Sequence, residues 1–474
     1  MISRPWLGLP VTLVMLHAGC APDAAPPADA RPNIVLVTVE STRADHVGVY
    51  GYPRATTPVL DALASEATVF EDASAVTSWT LPSHASIFTG LYPAAHGVVA
   101  YDHRLDDSHT TLAEVLHQAG YQTAAVVSGP FLRSIRNLDQ GFELYDQSVT
   151  HPDGNRAAHG DVTNPGVERI VEGFLRGGRD PGRPFFLFLY LWDVHYDYLP
   201  PPPFDTMFVP PNAEPVDLRG YEVSSAVGPD SPPAQIDYVL AAYDGEIAAT
   251  DALLGRLFGV LKELDVWDAT AVAVTADHGE EFFEHGHKGH RNNLYQESLR
   301  VPLIVKLPDR RPPSRRADPV SLVDLFPTIL GLAGVENVPH HHGRSLLEPA
   351  AGASRPLFFE LKTEWEAVDP ATGERGVVSD LWLAVREGDH KLVLARNDGV
   401  RELFDLTRDP GERMPLGPDH GARLAELDDE IGTFLETMQR DARRFSRSAP
   451  IDLTPEEEER LRSLGYLGGS APED

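Results

Sequence analysis

Apolar positions along the first 335 residues follow two alternating patterns. Residues 33–39, 185–192 and 269–276 are apolar on both faces, as strands buried inside a parallel sheet are. Between them, residues 236–264 carry apolar side chains at three- and four-residue spacing, which predicts a long helix. Further helices are predicted at 57–67, 110–119 and 167–175, and further strands at 124–127 and near 302. The alternation predicts an α/β fold: a large, mainly parallel sheet sandwiched by helices.

After about residue 350 the pattern changes to short strands separated by turn signals, followed by a helical stretch at 422–443. These strands are predicted at 357–361, 381–385, 391–395 and 401–405. The pattern predicts a small C-terminal antiparallel sheet plus a helix. We therefore expect a catalytic domain at 32–350 and a C-terminal α+β subdomain with a tail at 351–474.

Polar side chains follow two of the predicted buried strands. Glu40 comes directly after the first strand, and Asp277 and His278 come directly after the strand at 269–276. Pro82 predicts the start of a helix, because proline is pre-set for the first helical position, and Thr80 would lie just ahead of it. Ligands of open α/β sheets bind at the carboxyl ends of the strands. We therefore expect these side chains to meet there.

Two carboxylates, an imidazole and a hydroxyl are a suitable shell for one divalent metal ion. The histidine nitrogen favours zinc or manganese over calcium or magnesium. Each residue alone also has a structural interpretation, because an aspartate at a strand end often pairs or caps and a threonine before Leu-Pro often lies in an N-cap region. Their joint placement favours Glu40, Thr80, Asp277 and His278 as metal ligands.

Charge and the N-terminal segment indicate the surroundings in which the chain works. The net charge of −31 argues against binding to nucleic acid or to an anionic lipid surface. Residues 1–20 have the pattern of an export signal that ends at Cys20, which favours a bacterial lipoprotein, although His17 is unusual at its position. Residues 21–31 form a proline- and alanine-rich tether. We expect an exported protein, periplasmic or at the outer surface, with a lipid anchor on Cys20.

Several motifs occur in an order that resembles the sulfatase family, within the alkaline phosphatase superfamily. The similarity covers roughly residues 31–468. The motifs that carry it are Asn33-Ile-Val-Leu-Val, Ser41-Thr-Arg-Ala-Asp-His, Leu81-Pro-Ser-His-Ala-Ser-Ile-Phe-Thr-Gly, Asp193-Val-His and Asp277-His-Gly-Glu. The resemblance implies the family's fold and a hydrolase that acts on ester bonds. It also implies that His195 and His290 contact the transferring group, with a second metal ion possible at His195.

The departures from the family pattern are informative. Sulfatases place Cys or Ser, which is oxidised to formylglycine, where this chain has Thr80. His84 stands where the family has arginine, and Glu40 replaces the usual aspartate. The metal set resembles that of phosphoethanolamine transferases and lipoteichoic acid synthases, in which an unmodified threonine attacks phosphorus. The resemblance therefore implies that Thr80 is itself the nucleophile.

These features predict a metal-dependent hydrolase of sulfate or phosphate esters, with phosphate preferred and a covalent ester on Thr80. His195 or His290 is expected to protonate the leaving alcohol, and Asp193 to orient the His195 ring. His84, Lys288 and Arg291 are expected to bind the anionic substrate. The proline-rich residues 199–235 are expected to cover the site. Alternatives are a lipid-anchored phosphoryl head-group transferase and a non-catalytic binder of sulfated or phosphorylated glycans.

Overall fold

A computed structural model describes residues 31–150, 162–308, 311–347, 355–368, 375–397 and 399–463. The compact unit that contains them begins at Arg31. The predicted export signal, Cys20 and all of the tether except Arg31 lie outside the described residues. Within the described ranges, no helix combines the length and the apolar character needed to cross a bilayer.

The strands and helices follow in chain order. The strands are β1 Asn33–Val39, β2 Thr68–Ser74, β3 Gln122–Val127, β4 Leu144–Asp146, β5 Phe185–Leu191, β6 Thr270–Ala276, β7 Glu281–Phe282, β8 Lys288–Gly289, β9 Arg300–Lys306, β10 Ser314–Arg316, β11 Val320–Ser321, β12 Leu357–Val368, β13 Arg375–Glu387, β14 His390–Ala395 and β15 Val400–Asp405. The α-helices are α1 Pro58–Ala64, α2 Thr80–Thr89, α3 Pro93–His96, α4 Leu112–Gln118, α5 Asn164–Gly173, α6 Pro233–Glu263, α7 Gln296–Leu299, α8 Leu325–Leu332, α9 Gly421–Ala442 and α10 Pro455–Ser463.

The large sheet has the order β10-β2-β9-β6-β1-β5-β3-β4, and β11 pairs with β2. Strand β9 runs antiparallel to both of its neighbours, whereas the other pairs are parallel. Val39 at the end of β1 is level with Leu191 of β5 and Ala276 of β6. The residues that follow these three central strands therefore emerge at one edge of the sheet.

Helices cover both faces of the sheet, as the apolar pattern predicts. Alternate residues of β1 point to opposite sides, because the side-chain period of a strand is two. Ile34 and Leu36 belong to the core that includes α2, α4 and α8. Val35 and Val37 belong to the core that includes α1, α5 and α6. The predicted α/β sandwich is confirmed.

The predicted C-terminal antiparallel sheet is confirmed as β12-β13-β14-β15. One face packs on α9 through a core that includes Leu383, Val385 and Ile431. The other face contributes Phe359 and Ala384 to the core beneath α2. This sheet is thus joined to the large sheet by a shared apolar core.

The start of α2 differs from the sequence prediction by two residues. The helix begins at Thr80, not at Pro82, and the extended residue Trp79 is its N-cap. The amide of Ser83 donates to the carbonyl of Trp79 at 3.2 Å, which closes the first turn. Pro82 lies within that turn, where amides have no partner inside the helix, so that its missing N–H costs little. Thr80 is consequently the first residue of the helix.

Candidate active site

The ends of β1 and β6 and the start of α2 bring Glu40, Asp277, His278 and Thr80 together. Glu40 Oε1 lies 3.2 Å from His278 Nε2, and Asp277 Oδ2 lies 3.5 Å from the same nitrogen. Thr80 Oγ1 lies 3.4 Å from Glu40 Oε1 and 3.3 Å from His278 Nε2. All of these side chains are buried. The residues predicted as metal ligands therefore converge on one point.

Hydrogen bonds from the protein leave one donor atom of Asp277 and one of His278 facing that point. Asp277 Oδ1 accepts the backbone N–H groups of Ser41 and His278 at 3.2 and 3.1 Å, while its buried Oδ2 has no hydrogen-bond partner among the described residues. His278 Nδ1 donates to the carbonyl oxygen of Gly279 at 2.8 Å. In the neutral ring Nε2 therefore carries a lone pair directed at the two carboxylates, an arrangement that either a proton or a metal ion between them would stabilise.

The pKa values of Glu40, Asp277 and His278 also indicate that a positive charge is stabilised at this point. Burial alone would raise the pKa of Glu40, but the charge and hydrogen bond of His278 hold it well below its usual value. Burial, reinforced by the charge of Glu40, raises the pKa of Asp277. Burial opposes protonation of His278, yet Asp277 and Glu40 raise its pKa to about 10. A proton on His278 supplies the positive charge that a metal ion would supply, and metal binding would displace it.

The spacing of the donor atoms suits a small, four-coordinate ion. A tetrahedral zinc ion with ligands at about 2.1 Å has its ligand atoms about 3.4 Å apart. Four separations in this set are 3.2 to 3.5 Å: those of Glu40, Asp277 and Thr80 from His278 Nε2, and that of Thr80 Oγ1 from Glu40 Oε1. His290 also has a ring nitrogen in a group with Glu40 and His278 whose atoms lie within 4.8 Å of one another. The residues present therefore fit a divalent ion.

Tyr190 is a residue of this site that the sequence prediction missed. Its hydroxyl donates to Glu40 Oε2, and Ser41 Oγ donates to Glu40 Oε1 at 2.8 Å. Tyr190 lies in β5, where every residue is buried, so that its hydroxyl needs a partner inside the protein. A polar group in an otherwise apolar central strand was the available signal. The Glu40 side chain is longer than the aspartate that is usual in the family, and this contact holds its carboxylate beside His278.

Removing that hydroxyl should weaken metal binding. In a Tyr190→Phe variant we expect the affinity for zinc to fall about 10- to 100-fold, the range found when a partner of a metal ligand is lost. Competition with a chelating dye measures the constant directly. Tyr145→Phe, which removes a hydroxyl that donates to the carbonyl oxygen of Leu132, is the matched control and should leave the affinity unchanged. Equal affinities for Tyr190→Phe and wild type would contradict the role of Tyr190.

His195 and His290 lie beside the candidate metal ligands. The His195 ring stacks on Trp192 with centroids 3.8 Å apart and lies 5.2 Å from the His290 ring, which is 4.5 Å from the His278 ring. His195 Nδ1 donates to the carbonyl oxygen of Tyr196 at 2.5 Å. Burial, assisted by His290, lowers the pKa of His195 to about 3. Burial and the charge of His278 also lower the pKa of His290.

The predicted substrate-binding residues have different surroundings. His84 is buried under the site, with Nδ1 donating to the Thr80 carbonyl and Nε2 bonded to Thr38 Oγ1, both at 2.9 Å. The guanidinium of Arg291 lies 4.8 Å from the ring centre of Trp79, beside Thr80. The Lys288 ammonium donates to the backbone carbonyls of Ser224 and Val227, within the segment 199–235 that is predicted to cover the site. Substrate contacts by these three residues remain predictions.

Other acidic residues near the site have partners that the sequence did not reveal. Glu280 Oε2 accepts the hydroxyl of Tyr198 at 2.9 Å. Asp193, expected to orient the His195 ring, accepts hydrogen bonds from Thr163 and from the amide of Asn164 at the start of α5. These bonds give Asp193 a role in fixing α5 against the end of β5.

Gly279 lets the backbone after His278 approach the segment before β9. Its N–H donates to the Ser298 carbonyl at 2.8 Å, and a Cβ at this position would lie 1.9 Å from the Glu297 carbonyl oxygen. We expect Gly279→Ala to lower the free energy of unfolding by about 3 kcal/mol, the upper range for overpacking. The control Gly259→Ala, in α6 with open space around it, should be neutral or stabilise by up to about 1 kcal/mol. Urea unfolding measures both, and equal stabilities would contradict the close approach.

A family model described as Sulfatase matches residues 32–335. The chain belongs to the sulfatase family. A second model, described as N-sulphoglucosamine sulphohydrolase, C-terminal, matches residues 283–440. The protein is therefore a hydrolase that acts on ester bonds, in a family that generally uses a divalent metal ion.

Relatives of this sulfatase-family chain differ in the reactions that their names describe. The multifunctional alkaline phosphatase superfamily protein PehA of Trinickia caryophylli is 26% identical, over 82% of this chain and 92% of its own. An ulvan-active sulfatase of Formosa agariphila is 27% identical, over 86% of this chain and 82% of its own. The similarity therefore extends over most of the length of both relatives.

Solved structures of two phosphonate monoester hydrolases share the fold. The enzyme of Agrobacterium radiobacter has a TM-score of 0.67 and 20% identity, covering 86% of this chain and 96% of that one. The enzyme of Silicibacter pomeroyi has a TM-score of 0.68 and 22% identity, covering 86% and 95%. At these identities the comparison establishes the architecture alone.

Proposed function

We propose that this protein is a metal-dependent hydrolase of phosphate or sulfate esters in which Thr80 is the nucleophile, with phosphate preferred. The observation that carries the proposal is the position of Thr80 Oγ1. It lies 3.3 Å from His278 Nε2 and 3.4 Å from Glu40 Oε1, at the first residue of α2. A hydroxyl held among ionisable groups at a helix N-terminus is placed both for activation and for contact with an anion.

Glu40, Thr80, Asp277 and His278 would hold one divalent ion, for which the donor spacing supports zinc or manganese over calcium. A bound divalent ion lowers the pKa of a hydroxyl and withdraws charge from an anionic ester. Calcium requires six to eight oxygen ligands, whereas this set presents one nitrogen and few free oxygens. A second ion near His195 and His290 stays possible in this proposal.

The residues of the chain would carry out the transfer in two steps. The Thr80 hydroxyl would release its proton to water, because a bound ion would lower its pKa. Its Oγ1 then attacks the phosphorus or sulfur atom in line, and the bond to the leaving oxygen breaks with its electron pair on that oxygen. The amides at the start of α2 and the guanidinium of Arg291 stabilise the charge on the remaining oxygens. His195 and His290 contact the transferring group through Nε2. Water then cleaves the ester on Thr80 and restores the hydroxyl.

The chemistry of the second step supports phosphate over sulfate. A sulfate ester on a formylglycine hydrate leaves by elimination, because the same carbon carries a second hydroxyl. The side chain of Thr80 has no second hydroxyl, so that its ester must be opened by attack of water on the transferred group. A phosphate ester is better suited to that route.

A panel of nitrophenyl esters tests the preference. With zinc-loaded and manganese-loaded protein, we expect bis(4-nitrophenyl) phosphate to be hydrolysed with a higher kcat/KM than 4-nitrophenyl sulfate. A 4-nitrophenyl phosphonate ester completes the comparison of phosphorus with sulfur. Faster turnover of the sulfate ester would contradict the preference for phosphorus, and no turnover of any ester would contradict the proposed reaction.

We also propose export with a lipid anchor on Cys20. The support is the sequence of residues 1–20 and the tether that follows. Expression of the full chain with a labelled fatty acid tests the anchor, with Cys20→Ser as the control. Equal labelling of the two forms would contradict lipid attachment at Cys20.

A further inference from the structure

Residues 199–232, which we call the covering segment, are fastened to the active-site edge of the sheet. The Asp197 carboxylate accepts the backbone N–H of Gly220 at 2.5 Å and that of Tyr221 at 2.8 Å. Asp197 lies two residues after His195. The covering segment is thus held to the same loop that places His195.

A second set of contacts fastens the covering segment from the opposite side. The Lys288 ammonium donates to the carbonyl oxygens of Ser224 at 2.5 Å and Val227 at 3.2 Å. It also lies 4.7 Å from the ring centre of Tyr221. Lys288 precedes His290 by two residues, so that both histidine-bearing loops hold residues 220–227.

Aromatic and carboxyl groups connect the covering segment to His290. The ring of Tyr221 lies 5.4 Å from the ring of Tyr198. The Tyr198 hydroxyl donates to Glu280 Oε2 at 2.9 Å, and Glu280 Oε1 lies 3.1 Å from His290 Nδ1. The backbone at Tyr221 is therefore held by the same network of contacts that reaches His290.

Glu222 follows Tyr221, and its carboxyl group is unsatisfied. Its Oε2 is shielded from solvent and has no hydrogen-bond partner in the described part of the chain. A Cβ on Gly289 would lie 2.4 Å from this oxygen, so that the carboxyl group touches the backbone directly before His290. A desolvated carboxyl group without a partner favours its neutral, protonated form.

Some groups around Glu222 raise the pKa of its carboxyl group and others lower it. Burial raises its pKa most, and the carboxyl groups of Glu280 and Glu281 raise it further. The cations of Lys288 and Arg291 lower it. The resulting pKa of Glu222 is about 8, which supports a protonated side chain at neutral pH.

The active site needs such a proton donor. A leaving alcohol departs as an alkoxide unless a proton reaches its oxygen. The Nδ1–H of His195 is already donated to the Tyr196 carbonyl, and the neutral ring then carries a lone pair on Nε2. His290 Nδ1 lies 3.1 Å from Glu280 Oε1, and with its proton donated there the neutral ring also carries a lone pair on Nε2. These Nε2 atoms can contact an acidic oxygen or a cation, but in the neutral rings neither has a proton to give.

We propose that Glu222 is the general acid that protonates the leaving oxygen, an assignment that rests on the proposed function. As Thr80 Oγ1 forms its bond to phosphorus, the ester bond to the leaving oxygen breaks and the electron pair stays on that oxygen. The Glu222 carboxyl proton transfers to this oxygen, which yields a neutral alcohol and a Glu222 carboxylate. In the second step water gives its hydroxyl group to phosphorus and its proton to Glu222, and the bond from phosphorus to Thr80 Oγ1 breaks. Thr80 leaves as an alkoxide and regains from solvent the proton that it lost in the first step.

Leaving-group dependence tests this assignment. For Glu222→Gln we expect kcat/KM with a phenyl phosphate ester to fall about 100-fold or more, and kcat/KM with the matching 4-nitrophenyl ester to stay within about threefold, because nitrophenolate leaves without a proton. The control Glu214→Gln changes an exposed glutamate of the same segment and should leave kcat/KM unchanged with both esters. With the phenyl ester, wild-type turnover should decline above a pH of about 8, and Glu222→Gln should lack that decline.

Equal losses of kcat/KM with both esters in Glu222→Gln would assign Glu222 a structural role and overturn the proposal. Full activity of Glu222→Gln with the phenyl ester would also overturn it. Either result leaves the proposed function intact, since wild-type turnover of the 4-nitrophenyl ester tests that separately. A wild-type protein that hydrolyses neither ester would overturn both.

Discussion

Replacing Thr80 with alanine is expected to reduce turnover of 4-nitrophenyl esters at least about 10⁴-fold, the scale seen when a catalytic nucleophile is removed. The reason is geometric, because Thr80 Oγ1 faces Glu40 and His278 at the start of α2. Metal content should change less than activity, since the remaining candidate ligands are unchanged. Steady-state kinetics with parallel metal analysis on the same preparation measures both quantities.

Two variants control for effects on α2 itself. Thr80→Ser keeps a hydroxyl and should retain activity within about tenfold, whereas Thr80→Ala should not. Thr89→Ala, at the other end of the same helix, removes a hydroxyl that donates to the Ala85 carbonyl and should leave turnover unchanged. Full activity in Thr80→Ala would contradict Thr80 as the nucleophile.

Replacing Asp277 with asparagine is expected to weaken zinc binding by more than about 100-fold, beyond the loss caused by an outer partner. The same change should raise the unfolding temperature of the metal-free protein. Without an ion, Asp277 Oδ2 is buried next to the carboxylate of Glu40, and no residue in the described ranges forms a hydrogen bond with it. Burial beside Glu40 raises the pKa of Asp277, and asparagine, which does not ionise, avoids the cost of burying a second negative charge there. Calorimetry with and without a chelator measures both effects.

A buried carboxyl of the C-terminal sheet provides the control. Glu360 is buried in β12 and accepts the amide of Ala94, and Glu360→Gln should leave zinc affinity unchanged. In wild type and in Glu360→Gln, the chelator should lower the unfolding temperature. In Asp277→Asn it should have little effect. A chelator response in Asp277→Asn as large as that of wild type would show that the ion binds elsewhere.

The sequence predicted the central part of the site because parallel strands of similar length end level. Val39 and Ala276 are paired in the sheet, so that the next residues, Glu40 and Asp277, must emerge together. The position of Thr80 followed from Pro82, although the helix begins two residues earlier. These inferences need only local patterns and the geometry of the sheet.

Contacts between distant segments could not be predicted in the same way. The Lys288 ammonium reaches carbonyls some 60 residues away, and nothing near Lys288 in the sequence distinguishes that role from substrate binding. The prediction of a helix at 57–67 was wrong over its last residues. Helix α1 ends at Ala64, and the amides of Ser65 and Glu66 donate to the carbonyls of Ala62 and Leu63 in a tight turn that leads into β2 at Thr68.

The run His340–His342 shows a similar limit. Its first residue, His340, is exposed. His342, however, accepts the amide of Tyr92 through Nδ1 and contacts Asp441 through Nε2. With Nδ1 acting as acceptor, the neutral ring carries its proton on Nε2 and is not disposed to bind a metal ion there. The pattern of polar and apolar residues along the sequence does not indicate that Asp441 of α9 is a partner of His342.

The most direct measurement is the mass of the peptide that carries Thr80, taken from metal-loaded protein quenched during turnover of bis(4-nitrophenyl) phosphate. The account predicts a nitrophenyl phosphoryl group on Thr80 in wild type and none in Thr80→Ala. An unmodified Thr80 peptide from protein that is turning over substrate, or a phosphoryl group on another residue, would contradict it.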